Sequence, residues 1–456
     1  MESKKSQPSV SVIVSTYNWS TALRCALRSV QLQTFRDFEV LVVGDGCTDD
    51  SGSVVNSFGD PRFHWHNLPR NHGSQFAPNN YGLEHAAADW VAYLGQDDVW
   101  YPTHLEACKR TAENEEPDFI ASVMIMYGPR ESGFRAVSGV FVDGVHSPWD
   151  FTPPSSVMHR RSLIERVGFW KPPDITELPV DCDYFKTIAN TGARIVSTGE
   201  LTVFKYNAAW RRDSYKLKDT AEQEAILGRI ESGLDFRQEE LIGVVRAVAA
   251  DRFLPTEMPK PAPAGSYHRR YRRTKGADEW YAEEELRSLA DVRRLGLGSE
   301  WTFEWHDQEI HPSLGPFRWS GPLPKASIAF PFFFDQELFF RMHVITAIDQ
   351  AALTSLKIFV QDREVSFRSE TTPSGTHMFA WSSAPPADAD PKEPLTVTID
   401  TALTRRPRDL GINGDRRWLG LAVNWIEIGP VPDVSDGRPE SRGRAGVLER
   451  LAALWH

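Results

Sequence analysis

The chain has 456 residues, enough for two to four domains with sizeable cores. Its net charge of −11 leaves no domain-wide basic footprint, which excludes general nucleic-acid binding. Hydrophobic content of 41% and charged content of 25% are ordinary for a soluble globular protein, and no apolar run approaches the roughly 18 residues that span a bilayer.

Cysteines 25, 47, 108 and 182 form no CxxC pair, so free thiols in a reducing compartment are expected. Met1 to Ser9 is polar and lysine-bearing, with no apolar core of a secretory signal. The expected location is cytoplasmic.

Val10 to Ser15 is continuous and β-branched, as in a strand covered on both faces of a parallel sheet. Thr16-Tyr17-Asn18 breaks it. A helix comes next, with Leu23, Ala26, Leu27 and Val30 at i, i+3, i+4, i+7. Phe38 to Val43 makes a second strand that ends in Gly44-Asp45-Gly46. This is a βαβ unit, the start of a nucleotide-binding type of sheet. Asp45 stands where the acid of a dinucleotide fold would, although no GxGxxG precedes it.

Trp90 to Leu94 is a short aromatic strand that empties into Asp97-Asp98. Open α/β folds bind ligands at such carboxyl edges. Two adjacent acids repel, and a divalent metal holding a diphosphate would compensate them. A solvated turn after a strand is the plainer alternative.

With these pieces in hand, the chain resembles the family-2 glycosyltransferases of GT-A fold. The resemblance rests on Ser11 to Asn18, Gln33 to Glu39, Gly44 to Asp49, Asn71-His72-Gly73 and Gln96 to Trp100, in that order, and covers about the first 215 residues. It implies that Ser15, Tyr17 and Asn18 bind the donor nucleotide, with Tyr17 stacking on the base, and that Asp45 accepts a hydrogen bond from it. Asp97 would contact the ribose or the metal. Asp98 would be the ligand of Mn(II) or Mg(II) in a DxD-type motif. Gly44 departs from the family's second acid, and Asn79 falls where many relatives carry an arginine near the diphosphate. Arg70 or His72 would then substitute.

Beyond a helix over Pro102 to Glu115 and a strand over Phe119 to Met126, the resemblance places the acceptor side of the cleft around residues 155–170. Val180-Asp181-Cys182-Asp183 opens a helix where relatives show Glu-Asp-x-Asp. Asp181 matches the general base, with helix capping as its alternative, and Glu177 is a fallback. Asp183 reads as a capping acid. Arg194 to Ser197 and Leu201 to Tyr206 complete the core. The Gln-x-x-Arg-Trp of processive synthases is absent, which favours one sugar per encounter. Arg211 and Arg212 would fold over the diphosphate, or form a solvated pair.

Residues 216–298 read as a helical extension with a stiff Pro255–Pro263 linker. The basic cluster His268 to Arg273 reads first as solvated surface, with anionic lipid or a lipid diphosphate as the other use. Over residues 299–430, short aromatic strands between Gly, Pro and Asp turns predict an all-β sandwich or jelly roll. It is similar to modules appended to bacterial surface-polysaccharide glycosyltransferases. Trp301, Trp305, Trp319 and Trp425 suit core packing more than sugar stacking. Residues 431–456 read as a linker and a short amphipathic helix.

The expected fold class is therefore α/β, a GT-A type nucleotide-binding mixed sheet, followed by a helical segment and a C-terminal β-sandwich. The expected function is a metal-dependent, inverting glycosyltransferase. It would move one sugar from a nucleoside-diphosphate sugar, a UDP-sugar first, to a glycan or lipid-linked acceptor of bacterial surface polysaccharide. Peripheral membrane contact and homo-oligomerisation are compatible with it. The competing readings are a non-catalytic glycan-binding or scaffold protein on the same fold, and a nucleotidyltransferase. The latter would carry a Gly-rich basic signature that Ser15-Thr16-Tyr17-Asn18 is not.

Overall fold

The computed structural model describes residues 7–130, 132–147, 150–254, 256, 258–276, 288–297, 302–373, 375–385 and 394–431. Trp301 and the expected linker and helix beyond Val431 lie outside them. The chain divides into two compact units, Met1–Ala277 and Asp278–His456. The first unit thus runs past the expected boundary at residue 215, and the helices after it belong to that unit.

The first unit is built on one mixed sheet. Its strands are β1 (Val10–Thr16), β2 (Phe38–Gly44), β3 (Phe63–Asn67), β4 (Trp90–Gly95), β5 (Val99–Trp100), β6 (Phe119–Tyr127), β7 (Arg135–Ser138), β8 (Val157–Arg160) and β9 (Ile195–Tyr206). They run in the order β3-β2-β1-β4-β8-β6-β9-β5, with β7 beside β6. β1 pairs in parallel with β2 and β4, and β2 with β3. β8 then runs antiparallel to both β4 and β6.

The helices are α1 (Ser20–Gln31), α2 (Ser51–Ser57), α3 (Phe76–His85), α4 (His104–Glu115), α5 (Ile164–Val167), α6 (Val180–Asn190), α7 (Ser214–Leu217), α8 (Ala221–Glu231), α9 (Arg237–Ala249) and α10 (Ser266–Lys275). β1 shows why its run is continuously apolar. Successive side chains point to opposite faces. Val10, Val12 and Val14 join α1's Leu23, Ala26, Leu27 and Val30 in one core, while Ile13 joins Leu83, Tyr93, Trp170 and Phe185 in another. The two segments expected around residues 194–206 are a single strand, β9, which pairs with β6 across register shifts near Gly199, where φ is +67°.

Among its described residues the second unit holds two antiparallel sheets and a short helix, Gln350–Thr354. One joins strands 309–311, 315–319, 421–430, 338–347, 377–383 and 368–371, with 293–296 beside 421–430. The other joins 302–303, 325–330, 395–400, 357–360 and 363–365. Phe340, Trp381 and Ile426 from the first share one core with Ile328, Val397 and Ile358 from the second. This is a β-sandwich. Trp305 and Trp319 pack against that core, and Trp425 stacks on His343 with the Arg294 guanidinium 4.1 Å from its ring centroid. All three tryptophans are therefore engaged within the protein.

Candidate functional site

The parallel strands β1, β2 and β4 end level with one another: Thr16 pairs with Gly44, and Ser15 with Gly95. The loops leaving these strand ends face a common cavity of about 380 Å³. Ser15, Tyr17, Asp45, Asn79, Asp97 and Asp181 all line it, so six residues that sequence reasoning singled out meet in one place.

Gln96 holds the first edge together. Its buried Oε1 accepts from the Thr16 hydroxyl and, at 2.8 Å, from the Tyr17 N–H, while its Nε2 donates to the Tyr215 hydroxyl at 2.9 Å. Tyr17 and Tyr215 rings lie 6.4 Å apart and near-parallel (28°), an aromatic wall on which a flat base can stack. Asp45 anchors the opposite loop. It accepts from the N–H groups of His72 (2.9 Å) and Gly73 (3.0 Å), and its Oδ1 lies 2.9 Å from His72 Nδ1. His72 is thereby committed to Asp45.

Asn79 is buried, and its Nδ2 has no hydrogen-bond partner although it sits at the cavity. An unsatisfied buried donor costs free energy unless a ligand takes it. Asn79 is thus suited to donate to a bound oxygen, but it brings no charge. Arg70 is exposed and does not line the cavity.

The acidic pair divides. Asp97 is half-buried and lines the cavity. Asp98 is fully buried and does not line it. Its Oδ2 receives Lys205 Nζ at 2.9 Å and the Ser155 hydroxyl, and its Oδ1 receives the Tyr206 N–H at 3.1 Å. Burial pushes its carboxyl up, against the pull of Lys205. Asp98, the expected metal ligand, is thus held here by Lys205, Ser155 and Tyr206 as an anchor between strands. Lys205 reaches it from β9, a contact that sequence order hides.

Among the described residues, no group of three or more His, Cys, Asp or Glu side chains could hold a metal. Of the Asp97-Asp98 pair, Asp97 is the carboxylate that lines the cavity. Mg(II)-type cations commonly take one or two carboxylates plus substrate phosphate oxygens, and that donor set fits Asp97 with a bound diphosphate.

Two residues expected to bind the donor, Asn18 and Arg211, have other partners here. Asn18, with φ of +43°, accepts from the N–H groups of Thr48 (2.7 Å) and Asp49 (3.3 Å), so it ties the β1 and β2 ends together. Arg211 is ion-paired with Glu222 and donates to the Gly128 carbonyl at 2.7 Å. Neither lines the cavity.

Asp181 stands in the first turn of α6, whose N-cap is Pro179, and its Oδ1 accepts from the Cys182 N–H at 3.0 Å. It lines the cavity, and burial raises its carboxyl above the usual range against the pull of Lys205 and Lys275. A raised carboxyl in a cleft suits general-base work at neutral pH. Asp183 instead pairs with Lys171 at 3.0 Å, and exposed Glu177 does not line the cavity.

Sequence reasoning missed Lys205 and Lys275, and read Arg272 first as surface. Lys205, Arg272 and Lys275 line the cavity, with Tyr215, His268 and Tyr271 beside them. On Lys205, burial pulls downward, but Asp98 and Asp97 outweigh it and the ammonium is held above its ordinary value. The basic cluster on α10, expected as surface, is split. Arg269 and Arg270 are exposed, while His268 and Arg272 are half-buried at the cavity. The spacing of residues 268, 272 and 275 was the available signal, since these fall on one helix face.

Residues 11–170 match the family model described as Glycosyl transferase family 2. Asp181, Lys205 and α10 lie beyond the matched segment. An uncharacterized glycosyltransferase of Nostoc sp. is 28% identical over 178 residues, covering 35% of this chain and 52% of the relative. The GalNAc(5)-diNAcBac-PP-undecaprenol beta-1,3-glucosyltransferase of Campylobacter jejuni is 36% identical over 96 residues, covering 20% of this chain and 30% of the relative. The chain therefore spans about half of the one and under a third of the other. The crystal structure of S. aureus TarS residues 1–349 in complex with UDP-GlcNAc is 19% identical, with a TM-score of 0.36, covering 53% of this chain and 73% of that one. No helix among the described residues is long and apolar enough to cross a membrane.

Proposed function

We propose that this protein is a glycosyltransferase that moves one sugar from a nucleoside-diphosphate sugar to an acceptor hydroxyl, with inversion at the anomeric carbon. One observation carries the reading. The ends of three parallel strands bring Tyr17, Asp45 and Asp97 to a single cavity with Asp181 on its wall. The match of residues 11–170 to glycosyl transferase family 2 supports it.

In this reading the base packs in the Tyr17–Tyr215 region and Asn79 donates to a donor oxygen. Asp97 is the residue that would hold Mn(II) or Mg(II), and such an ion, when bound, stabilises charge on a leaving diphosphate. Asp181 accepts the proton of the acceptor hydroxyl as that oxygen attacks the anomeric carbon. A single displacement with no enzyme nucleophile inverts configuration, the logic that separates inverting from retaining hydrolases. A glycan or lipid-linked acceptor suits the resemblance to surface-polysaccharide enzymes. The β-sandwich would bind glycan, position the acceptor or mediate self-association.

The test is release of nucleoside diphosphate from a panel of UDP-, GDP- and dTDP-sugars, in the presence of glycan acceptors. Release by the wild type and its loss in Asp181→Asn, with donor binding intact, are expected. Wild-type turnover in Asp181→Asn would overturn the base assignment.

A further inference from the structure

The charge balance of the cavity poses a question that the strand ends do not answer. A nucleoside diphosphate brings several negative charges to a wall that already holds Asp45, Asp97 and Asp181. Asn79 is neutral, Arg211 is bound to Glu222, and Lys205 is engaged by Asp98. The other lysine and arginine that line the cavity, Arg272 and Lys275, lie on α10, outside the segment that matches the family model.

α10 presents Tyr267, His268, Tyr271, Arg272 and Lys275 to the cavity, at i, i+1, i+4, i+5 and i+8. It is fastened at both ends. The Gly265 N–H donates to the Thr176 carbonyl at 3.1 Å, and the Asp213 N–H donates to the Thr274 carbonyl at 2.7 Å. The same face therefore stays turned inward. Lys275 is half-buried, its Nζ 5.7 Å from the Tyr215 ring centroid, the ring that hydrogen-bonds Gln96 beside Asp97. Burial pulls its ammonium below the ordinary lysine value, while Asp97 and Asp181 pull the other way. A strongly hydrated point charge is placed there at a desolvation cost that a bound anion would offset. Arg272 lies against the Asn71–Gly73 loop so closely that a Cβ on Gly73, at φ +74°, would fall 1.7 Å from its Nη1. Gly73 leaves the room through which the guanidinium reaches the loop held by Asp45.

We propose that the inward face of α10 is the phosphate-binding arm of this site, with Lys275 and Arg272 contacting the diphosphate of the donor and supplying the positive charge that Asn79 does not. The proposal rests on the donor reading above. Both cations act as donor-binding residues, since neither is asked to move a proton.

The experiment compares affinities of the full-length protein for a nucleoside diphosphate, the matching monophosphate and the free nucleoside. UDP, GDP and dTDP and their counterparts are titrated with Mg(II) and again with EDTA. Lys275→Met is expected to cut the preference for diphosphate over nucleoside by roughly tenfold or more, with nucleoside affinity unchanged. Lys275→Arg should restore most of that preference, and Arg272→Gln should reduce it in the same direction. An unchanged preference in Lys275→Met would overturn the arm while leaving the donor reading intact. Equal loss of nucleoside and diphosphate affinity would also overturn it, since that is the mark of a merely structural role. If the wild type binds no nucleoside diphosphate, the donor reading itself fails and the arm fails with it.

Discussion

Lys205 on β9 reaches 2.9 Å from Asp98 Oδ2, across 107 residues of sequence, and so removes the second acid of the Asp97-Asp98 pair from the cavity. Asp97 is left as the acid of the pair that lines the cavity. The Lys205–Asp98 contact predicts that Asp98→Asn is a stability mutation first. Breaking a buried pair leaves Lys205 uncompensated, at a cost on the order of 3 kcal/mol. Urea denaturation of Asp98→Asn should show that loss, and an unaltered midpoint would contradict it.

Asp97→Asn should behave in the opposite way. Its side chain is half-buried at the cavity rim, so stability should change by less than about 0.5 kcal/mol. The Mn(II)-dependent part of nucleotide affinity should disappear. Calorimetry with and without metal, beside a thermal melt, separates the two effects.

Asp181 predicts a pH profile. Burial raises its carboxyl, and a general base works only when ionised. Turnover should therefore be full above that raised pKa and fall as pH drops through it, with an acid limb above the ordinary carboxylate range. Asp181→Asn should lower turnover by roughly a hundredfold or more and remove that limb. A pH–rate profile of kcat/KM measures both.

Gly44 carries a packing prediction. A Cβ there would lie 2.5 Å from Asn67 Oδ1 and 2.7 Å from Trp65 Cη2. Asn67 in turn accepts from the Cys47 N–H at 2.8 Å and shapes the turn after β2. The second acid that the family resemblance leads one to expect at this position has no room in this chain. Gly44→Asp should cost about 1–3 kcal/mol, read from chemical denaturation, rather than improve donor binding.

The legibility of each feature depends on where its signal sits. β1, β2 and β4 announce themselves as β-branched or aromatic runs stopped by polar residues, and the α1 stripe Leu23, Ala26, Leu27, Val30 is buried as its spacing implies. Ser15, Tyr17, Asp45, Asn79, Asp97 and Asp181 were singled out through the family resemblance, and the structure brings them to one cavity. The split between Asp97 and Asp98 was not, since adjacent residues turn to different surroundings and the deciding partner, Lys205, is remote in sequence. Asn18 and Arg211 carry polar groups that the fold spends on Thr48 and Glu222. The α10 cluster reads as surface because a basic stretch has the same composition whether it faces water or a cleft.

The most direct test of the donor assignment is calorimetric titration of UDP, GDP and dTDP into the full-length protein, with and without Mn(II). One of the three is expected to bind, and Tyr17→Ala to weaken it by roughly tenfold through lost stacking on the base. Absence of binding by all three, under both conditions, would contradict the assignment.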